Sequence, residues 1–317
     1  MSLTVDLAGR TALITGASSG LGARFGRRLA QNGARVALGA RRLDRLETLA
    51  AEIGYLARAV AMDVASEAEI MAGYDAAEKA FGGPIDTVIA NAGIDGAGFI
   101  NDQPEEEIER TLAINLKGAI LTAREGARRM IAAGVTNGRI IMVASITGFQ
   151  ASPGIVAYSA SKAGVIQATR SMAREWARAG ICVNAISPGY IRTDINADWF
   201  DTEPGQKQIA RFPRKRLMGE EGLDGPVLFL CSDEAEFVTG ANFVLDDGQT
   251  LEVLIHGVIP SAESSASGHL RARGRACGPF GSPGSLALGR LGFPQLDRIA
   301  FGICQRSKAS VWVGGGV

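Results

Sequence analysis

The chain has 317 residues with 33 basic and 33 acidic side chains, is 46% hydrophobic and 6% aromatic, and carries two histidines and four cysteines. Balanced charge excludes a global field that would gather nucleic acid or anionic lipid, and with neither a bilayer-length apolar run nor a basic-then-apolar leader at Met1–Thr11 a soluble, cytoplasmic protein is expected. Cys182, Cys231, Cys277 and Cys304 form neither a CxxC pair nor a disulfide framework, and two late histidines leave little for a metal site, so none is expected.

In chain order, Thr11–Thr15 reads as a strand and Leu21–Asn32 as a helix ended by Gly33. A second strand, Arg35–Ala40, precedes a helical pattern at Leu43–Ile53, and Ala57–Met62 is a third strand. Ser66 opens the next helix as a capping box with Glu69, each satisfying a free N–H of the first turn. Thr87–Ala90 is a fourth strand. The helix Glu105–Met130 follows, with Pro104 just inside its start and a break expected near Asn115. Arg139–Ala144, the helix Tyr158–Ala179, Cys182–Ser187 and a last strand at Phe243–Leu245 complete the series. Strict alternation implies right-handed βαβ units, hence a single Rossmann-like α/β domain: a doubly wound parallel sheet with helices on both faces. Ligands on such a sheet sit beyond the carboxyl ends of its strands.

This domain is assigned to residues 1–256. From Gly257 periodicity stops and composition shifts to Gly, Ser, Pro and Arg, with seven basic residues against two acidic, so the neutral total hides a tail of +5 on a body of −5. The basic residues are scattered, without aromatic interleaving or amphipathic period, which fits a low-complexity, poorly ordered extension over 257–317 better than a binding arm.

Directly after the first strand comes Thr15-Gly16-Ala17-Ser18-Ser19-Gly20-Leu21-Gly22, opening into a helix. Glycines let the main chain approach a pyrophosphate, and the helix N-terminus faces the anion. No Lys-Ser/Thr follows, so it is not an ATPase phosphate loop, and the spacing is TGxxxGxG, not GxGxxG. With this turn the sequence resembles the short-chain dehydrogenase/reductase family, including its 3-oxoacyl-acyl-carrier-protein reductases, from about Leu7 to Leu251. Asn91-Ala92-Gly93, Asn115, Ser145, Tyr158-Ser159-Ala160-Ser161-Lys162 and Pro188-Gly189 with Thr193 match the family's other elements in order and spacing.

Tyr158 and Lys162, four apart on a helix, share one face. Carbonyl reduction needs a proton donor at the oxygen that gains charge, and a free tyrosine, with a pKa of about 10, is a weak one near neutrality. A nearby ammonium lowers that pKa. A surface Tyr–Lys pair on an amphipathic helix is the plain alternative. Ser145, at a strand end, is placed to donate to the substrate oxygen or is an ordinary strand terminus. For Asn115 the resemblance implies a water held near Lys162 in a proton relay; the alternative is a buried amide serving local backbone. The resemblance thus implies Asn115, Ser145, Tyr158 and Lys162 as catalytic residues. It implies a cofactor site of Gly16, Ser18, Ser19, Gly20, Leu21, Gly22, Arg41, Asp63, Val64, Asn91, Tyr158, Lys162, Pro188, Gly189, Ile191 and Thr193, with Asp63 at the adenine.

At the end of the second strand the position that selects NAD by an acidic residue is Ala40, and Arg41 and Arg42 follow. A guanidinium fork suits a 2′-phosphate, so NADP(H) is preferred over NAD(H), although both arginines also read as the solvated start of a helix. Between Asp194 and Met218 the family has a substrate flap; here it holds Trp199, Phe200, Phe212 and the run Arg211-Phe212-Pro213-Arg214-Lys215-Arg216. That run meets a carboxylate, phosphate or acyl carrier, or is a solvated face or subunit contact. The expected partner is a small carbonyl or alcohol substrate: a 3-oxoacyl thioester first, a sugar or cyclic alcohol as runner-up. A non-catalytic NADP(H) sensor is the alternative of another class. Neither nucleic acid nor membrane is expected as a partner, and the resemblance implies a homotetramer or homodimer built partly from the Glu105–Met130 and Tyr158–Ala179 helices.

Overall fold

The computed structural model describes residues 5–192 and 197–251. Seven strands, β1 (Thr11–Thr15), β2 (Arg35–Ala40), β3 (Ala57–Ala61), β4 (Thr87–Ala90), β5 (Gly138–Val143), β6 (Ile181–Pro188) and β7 (Asn242–Leu245), form one sheet in the order β3-β2-β1-β4-β5-β6-β7. Every pairing is parallel. The chain runs outward from β1 to β3 and then returns to pair β4 with β1, so the order reverses between these two strands and a crevice opens at their carboxyl ends.

Alternation along β1 shows how the sheet is buried on both faces. Leu13 packs into one core with Tyr74 and Met130, whereas Ala12 and Ile14 face the other with Phe25 and Leu29. The helices α1 (Gly20–Gln31) and α2 (Leu43–Ile53) bury apolar side chains in the second core, and α3 (Glu67–Phe81) in the first. After α4 (Glu105–Leu112) and α5 (Ala119–Ala132) come α6 (Val156–Trp176), the short α7 (Ala197–Asp201), α8 (Glu203–Arg211) and α9 (Asp224–Cys231). Among the described residues no helix is long and apolar enough to cross a membrane.

Three local expectations are corrected. The break near Asn115 is a π-helical turn, Ala113–Gly118, that joins α4 to α5 without interrupting the helix. Gly118 lets this turn lie close against the segment after β3, since a Cβ there would lie 2.7 Å from the Val64 carbonyl oxygen. Pro104 is the N-cap of α4, not its first helical residue. The capping box is half formed: the Glu69 N–H donates to Ser66 Oγ at 3.3 Å, but Glu69 Oε2 accepts from the Asp63 N–H at 3.1 Å. The Ser66 N–H is already taken by the Asp63 carbonyl, which leaves the glutamate the next free donor upstream. The expected extension over 257–317 and Thr193 lie outside the described residues.

Candidate active site

The turn between β1 and α1 closes by steric necessity. Gly16 has φ 68°, and a Cβ on it would meet Ala92 Cα at 2.8 Å. A Cβ on Gly22 would meet the Gly16 carbonyl oxygen at 2.4 Å. Asn91 fastens the turn to the end of β4: its amide donates to the Thr15 carbonyl at 2.9 Å, while Thr15 Oγ1 accepts from the N–H groups of Asn91 and Ala92 at 3.0 and 3.1 Å. Ser19, the N-cap of α1, makes no side-chain cap bond, so the leading N–H groups of that helix face the crevice for an anion. This cradle, with room for main chain and none for side chains, fits a dinucleotide pyrophosphate.

Around the turn, Asp63 follows β3 with its carboxylate accepting from the Ala65 N–H at 2.9 Å, and Val64 is buried against the π-turn. Pro188 ends β6; the Gly189 N–H donates to the Leu245 carbonyl at 2.9 Å, and Ile191 is buried. Of the two arginines after β2, Arg41 is exposed with its nearest carboxylate, Asp63, 4.0 Å away. Arg42 is the one aimed at the glycine turn, with Nη2 donating to Ser18 Oγ at 2.8 Å and to Ser19 Oγ at 2.9 Å.

Deeper in the crevice, Lys162 is buried on α6 and its Nζ donates to the Val143 carbonyl at 2.9 Å. That ammonium lies 5.5 Å from the centroid of the half-buried Tyr158 ring. Burial lowers the Lys162 pKa to about 8. Burial likewise raises Tyr158 above its ordinary value, against a smaller downward pull from a hydrogen bond with Ser145. Desolvation outweighs that bond, and the hydrogen bond of the Lys162 ammonium goes to a β5 carbonyl. Ser145 is buried at the end of β5, and its oxygen accepts from both the N–H and the hydroxyl of Thr147, at 3.2 and 3.1 Å. Ser145, with its two acceptor sites filled, keeps its own proton to donate.

Asn115 is buried, with Oδ1 accepting from the Ile94 N–H at 2.8 Å and Nδ2 donating to the Ile94 carbonyl at 2.7 Å. Of the two readings of this residue, the geometry is that of an amide serving local backbone. It still belongs to the constellation through Gly93, where a Cβ would lie 3.3 Å from Asn115 Oδ1 and 3.6 Å from Lys162 Nζ. One short segment, Asn91-Ala92-Gly93, thus runs from the phosphate turn to Lys162.

Sequence reasoning missed Arg42's aim, Thr147 and a cluster around Tyr190. The Thr147 signal was available, a hydroxyl two residues after Ser145; the Tyr190 cluster joins residues far apart in the chain. Tyr190 stacks on Phe212 with centroids 5.8 Å apart and meets Phe200 edge-on at 6.0 Å. Of the flap aromatics, Phe200 and Phe212 are buried under Tyr190, whereas Trp199 is exposed. Half of the basic run is engaged: Arg214 and Arg216 both bond the Asp247 carboxylate, the latter at 2.7 Å, and the hydrogen bond from Arg216 leads in holding Asp247 below the usual carboxylate range. Cys182 and Cys231 are buried free thiols, and burial pushes Cys231 up to about 12.

A parallel sheet of this order, with a glycine cradle at its switch point and a Tyr–Lys–Ser group beyond β5, defines a dinucleotide-dependent oxidoreductase. The family profile described as short chain dehydrogenase matches residues 10–204, and the chain belongs to that family. Curated D-threitol dehydrogenase of Mycolicibacterium smegmatis is 35% identical over 257 residues, covering 79% of this chain and 98% of the relative. The solved gluconate 5-dehydrogenase of Burkholderia cenocepacia, in complex with NADP and tartrate, superposes with a TM-score of 0.73 at 34% identity, covering 77% of this chain and 96% of the other. A 3-ketoacyl-(acyl-carrier-protein) reductase of Brucella melitensis, complexed with NADH, gives 0.71 at 33% identity, covering 78% and 100%. The chain is accordingly an oxidoreductase, and the sensor alternative falls.

Proposed function

We propose that the chain interconverts a ketone or aldehyde and the corresponding alcohol, preferring NADP(H) and using Tyr158 as the general acid and base. The observation that carries this reading is the convergence of Tyr158, Lys162 and Ser145 beyond β5, joined through Asn91-Ala92-Gly93 to the glycine cradle. The bound nicotinamide supplies or accepts the hydride. Tyr158 gives its proton to the carbonyl oxygen or takes it from the alcohol, and Ser145 donates to the same oxygen as charge develops there. Lys162, brought to about 8, exchanges a proton near neutrality and restores the tyrosine. Asn115 is a positioning residue in this scheme, fixing Ile94 and with it the turn at Gly93.

The cradle from Gly16 to Gly22 would hold the pyrophosphate, with Asp63 and Val64 serving the adenine and Pro188, Gly189 and Ile191 the nicotinamide. The fork that Arg42 directs at Ser18 and Ser19 would hold a 2′-phosphate, and Arg41 would add longer-range attraction. For the substrate, a sugar or cyclic alcohol is preferred over an acyl-carrier thioester, because two of the four cations of the flap, Arg214 and Arg216, are paired with Asp247. Polyol and sugar-acid activities among the relatives support the same choice. A homo-oligomer belongs to this reading too: Phe99 and Ile100 ahead of α4, with Phe149 and Val156 beside α6, are exposed apolar side chains.

The test is NADPH oxidation against keto sugars, cyclic ketones and an acetoacetyl thioester, with NADH in parallel. Turnover of the first two classes with an NADPH advantage is expected. Turnover of the thioester alone, or an NADH advantage, would reverse the substrate or the cofactor assignment respectively.

A further inference from the structure

Ser152, in the loop after β5, and Tyr190, just after β6, bring their hydroxyl oxygens to 3.2 Å. Among the described residues neither hydroxyl has another hydrogen-bond partner. Tyr190 is held with unusual care for a half-buried loop residue. Its N–H donates to Gln249 Oε1 at 2.6 Å, its carbonyl accepts from Gln249 Nε2 at 3.0 Å, and Gln249 itself is buried. Its ring is fixed by Phe212 on a face and Phe200 at an edge. The Ser152 loop is tied in turn to the loop after β4, where the Gly98 N–H donates to the Gly154 carbonyl at 2.8 Å. Three strand-end loops thus converge on a pair of hydroxyls at the carboxyl end of the sheet, Ser152 lying in the segment that leads into α6 six residues before Tyr158.

We propose that the Ser152–Tyr190 pair reads a second hydroxyl next to the reacting carbon, so that the site takes vicinal diols and their α-hydroxy carbonyl partners. This rests on the reading of Tyr158 as the proton carrier. A hydroxyl both donates and accepts, so a substrate hydroxyl inserted between the two oxygens accepts from one and donates to the other. A substrate without it leaves the pair bonded to itself and orphans no buried group. Discrimination is therefore set at about tenfold to a hundredfold, below the much larger factors seen where a missing hydroxyl strands a buried partner.

The full-length chain with NADP+ is assayed on matched pairs, butane-2,3-diol with butan-2-ol and cyclohexane-1,2-diol with cyclohexanol. The wild type is expected to favour the diol by at least about tenfold in kcat/KM. In Ser152→Ala and in Tyr190→Phe, which keeps the ring packing, that ratio falls toward one, and Ser152→Thr restores it. Damage to the fold lowers both members of a pair together and leaves the ratio alone. A wild-type ratio near one, or a ratio unmoved in both variants, overturns the diol assignment while the Tyr158 reading stands. Absence of turnover on every alcohol, with NADP+ bound, overturns both.

Discussion

On the β1 side of the crevice the fit is made by main chain. Gly16 and Gly22 exclude any Cβ, and one amide, Asn91, fastens the turn. On the β6 side it is made by side chains brought from distant segments: Ser152, Tyr190, Phe200, Phe212 and Gln249. The first construction suits a ligand whose phosphates never vary; the second allows substrate preference to change by single replacements without disturbing the cofactor cradle. If this division is real, variants on the two sides must separate chemistry from cofactor binding.

The largest effect is expected at Tyr158→Phe. Removing one hydroxyl should lower kcat by about 10²–10⁴-fold, the usual range for general acid–base catalysis, while the NADPH dissociation constant changes little. Single-turnover kinetics beside a binding titration check both halves, and a near-normal rate would remove Tyr158 from the mechanism. Gly22→Ala attacks the other side. Its Cβ would press on the Gly16 carbonyl, which is backbone and cannot swing away, so a loss of about 1–3 kcal/mol in stability accompanies weaker NADPH binding. An unchanged melting temperature with unchanged NADPH affinity would show that the cradle is not steric.

Lys162→Met sharpens the comparison through pH. Burial holds the ammonium near 8 in the fold against about 10.4 when free, so the charged form costs about 3 kcal/mol below pH 8. The cost falls as pH rises from 8 to 10.4, because the folded state has released its proton while the unfolded state still holds one. The variant should therefore be more stable than wild type at pH 7, by about 2 kcal/mol after loss of the bond to Val143, and so melt higher, yet turn over poorly. The melting gain should shrink toward pH 10. A lower melting temperature at pH 7 would mean that the buried ammonium stabilises the fold.

Much of the main-chain side was legible in the sequence. Five residues between Thr11 and Thr15 and six between Arg35 and Ala40 carried their strand signal locally, and the TGxxxGxG turn marked the cradle by its place between strand and helix together with the family resemblance. That Tyr158 and Lys162 share a helix face was legible from their spacing of four, and their catalytic role only from the resemblance. What escaped was set by tertiary contact. Asn115 looked like a break, but its amide bonds to Ile94, 21 residues earlier, and the helix continues through a π-turn. The Tyr190–Gln249 bond spans 59 residues and left no local trace. The basic run looked like a site for anions, and nothing local showed that Asp247, 31 residues beyond Arg216, pairs with two of its four cations.

The smallest expected effect separates two neighbours that composition could not. Arg41 and Arg42 both follow β2, but only Arg42 has its guanidinium on the serines of the cradle, whereas Arg41 points into solvent near Asp63. Arg42→Ala should therefore weaken NADPH about tenfold or more while moving NADH little, since a charge-assisted fork on a phosphate exceeds a single exposed ion pair. Arg41→Ala should cost only a few-fold for NADPH, and that loss should vanish at high salt, where exposed charges are screened over short distances. Paired titrations of both cofactors at low and high ionic strength check this. Were Arg41 the more damaging and salt-resistant site, the guanidinium fork would have to leave Ser18 and Ser19 when the phosphate arrives, and the cradle would be less preformed than its glycines imply.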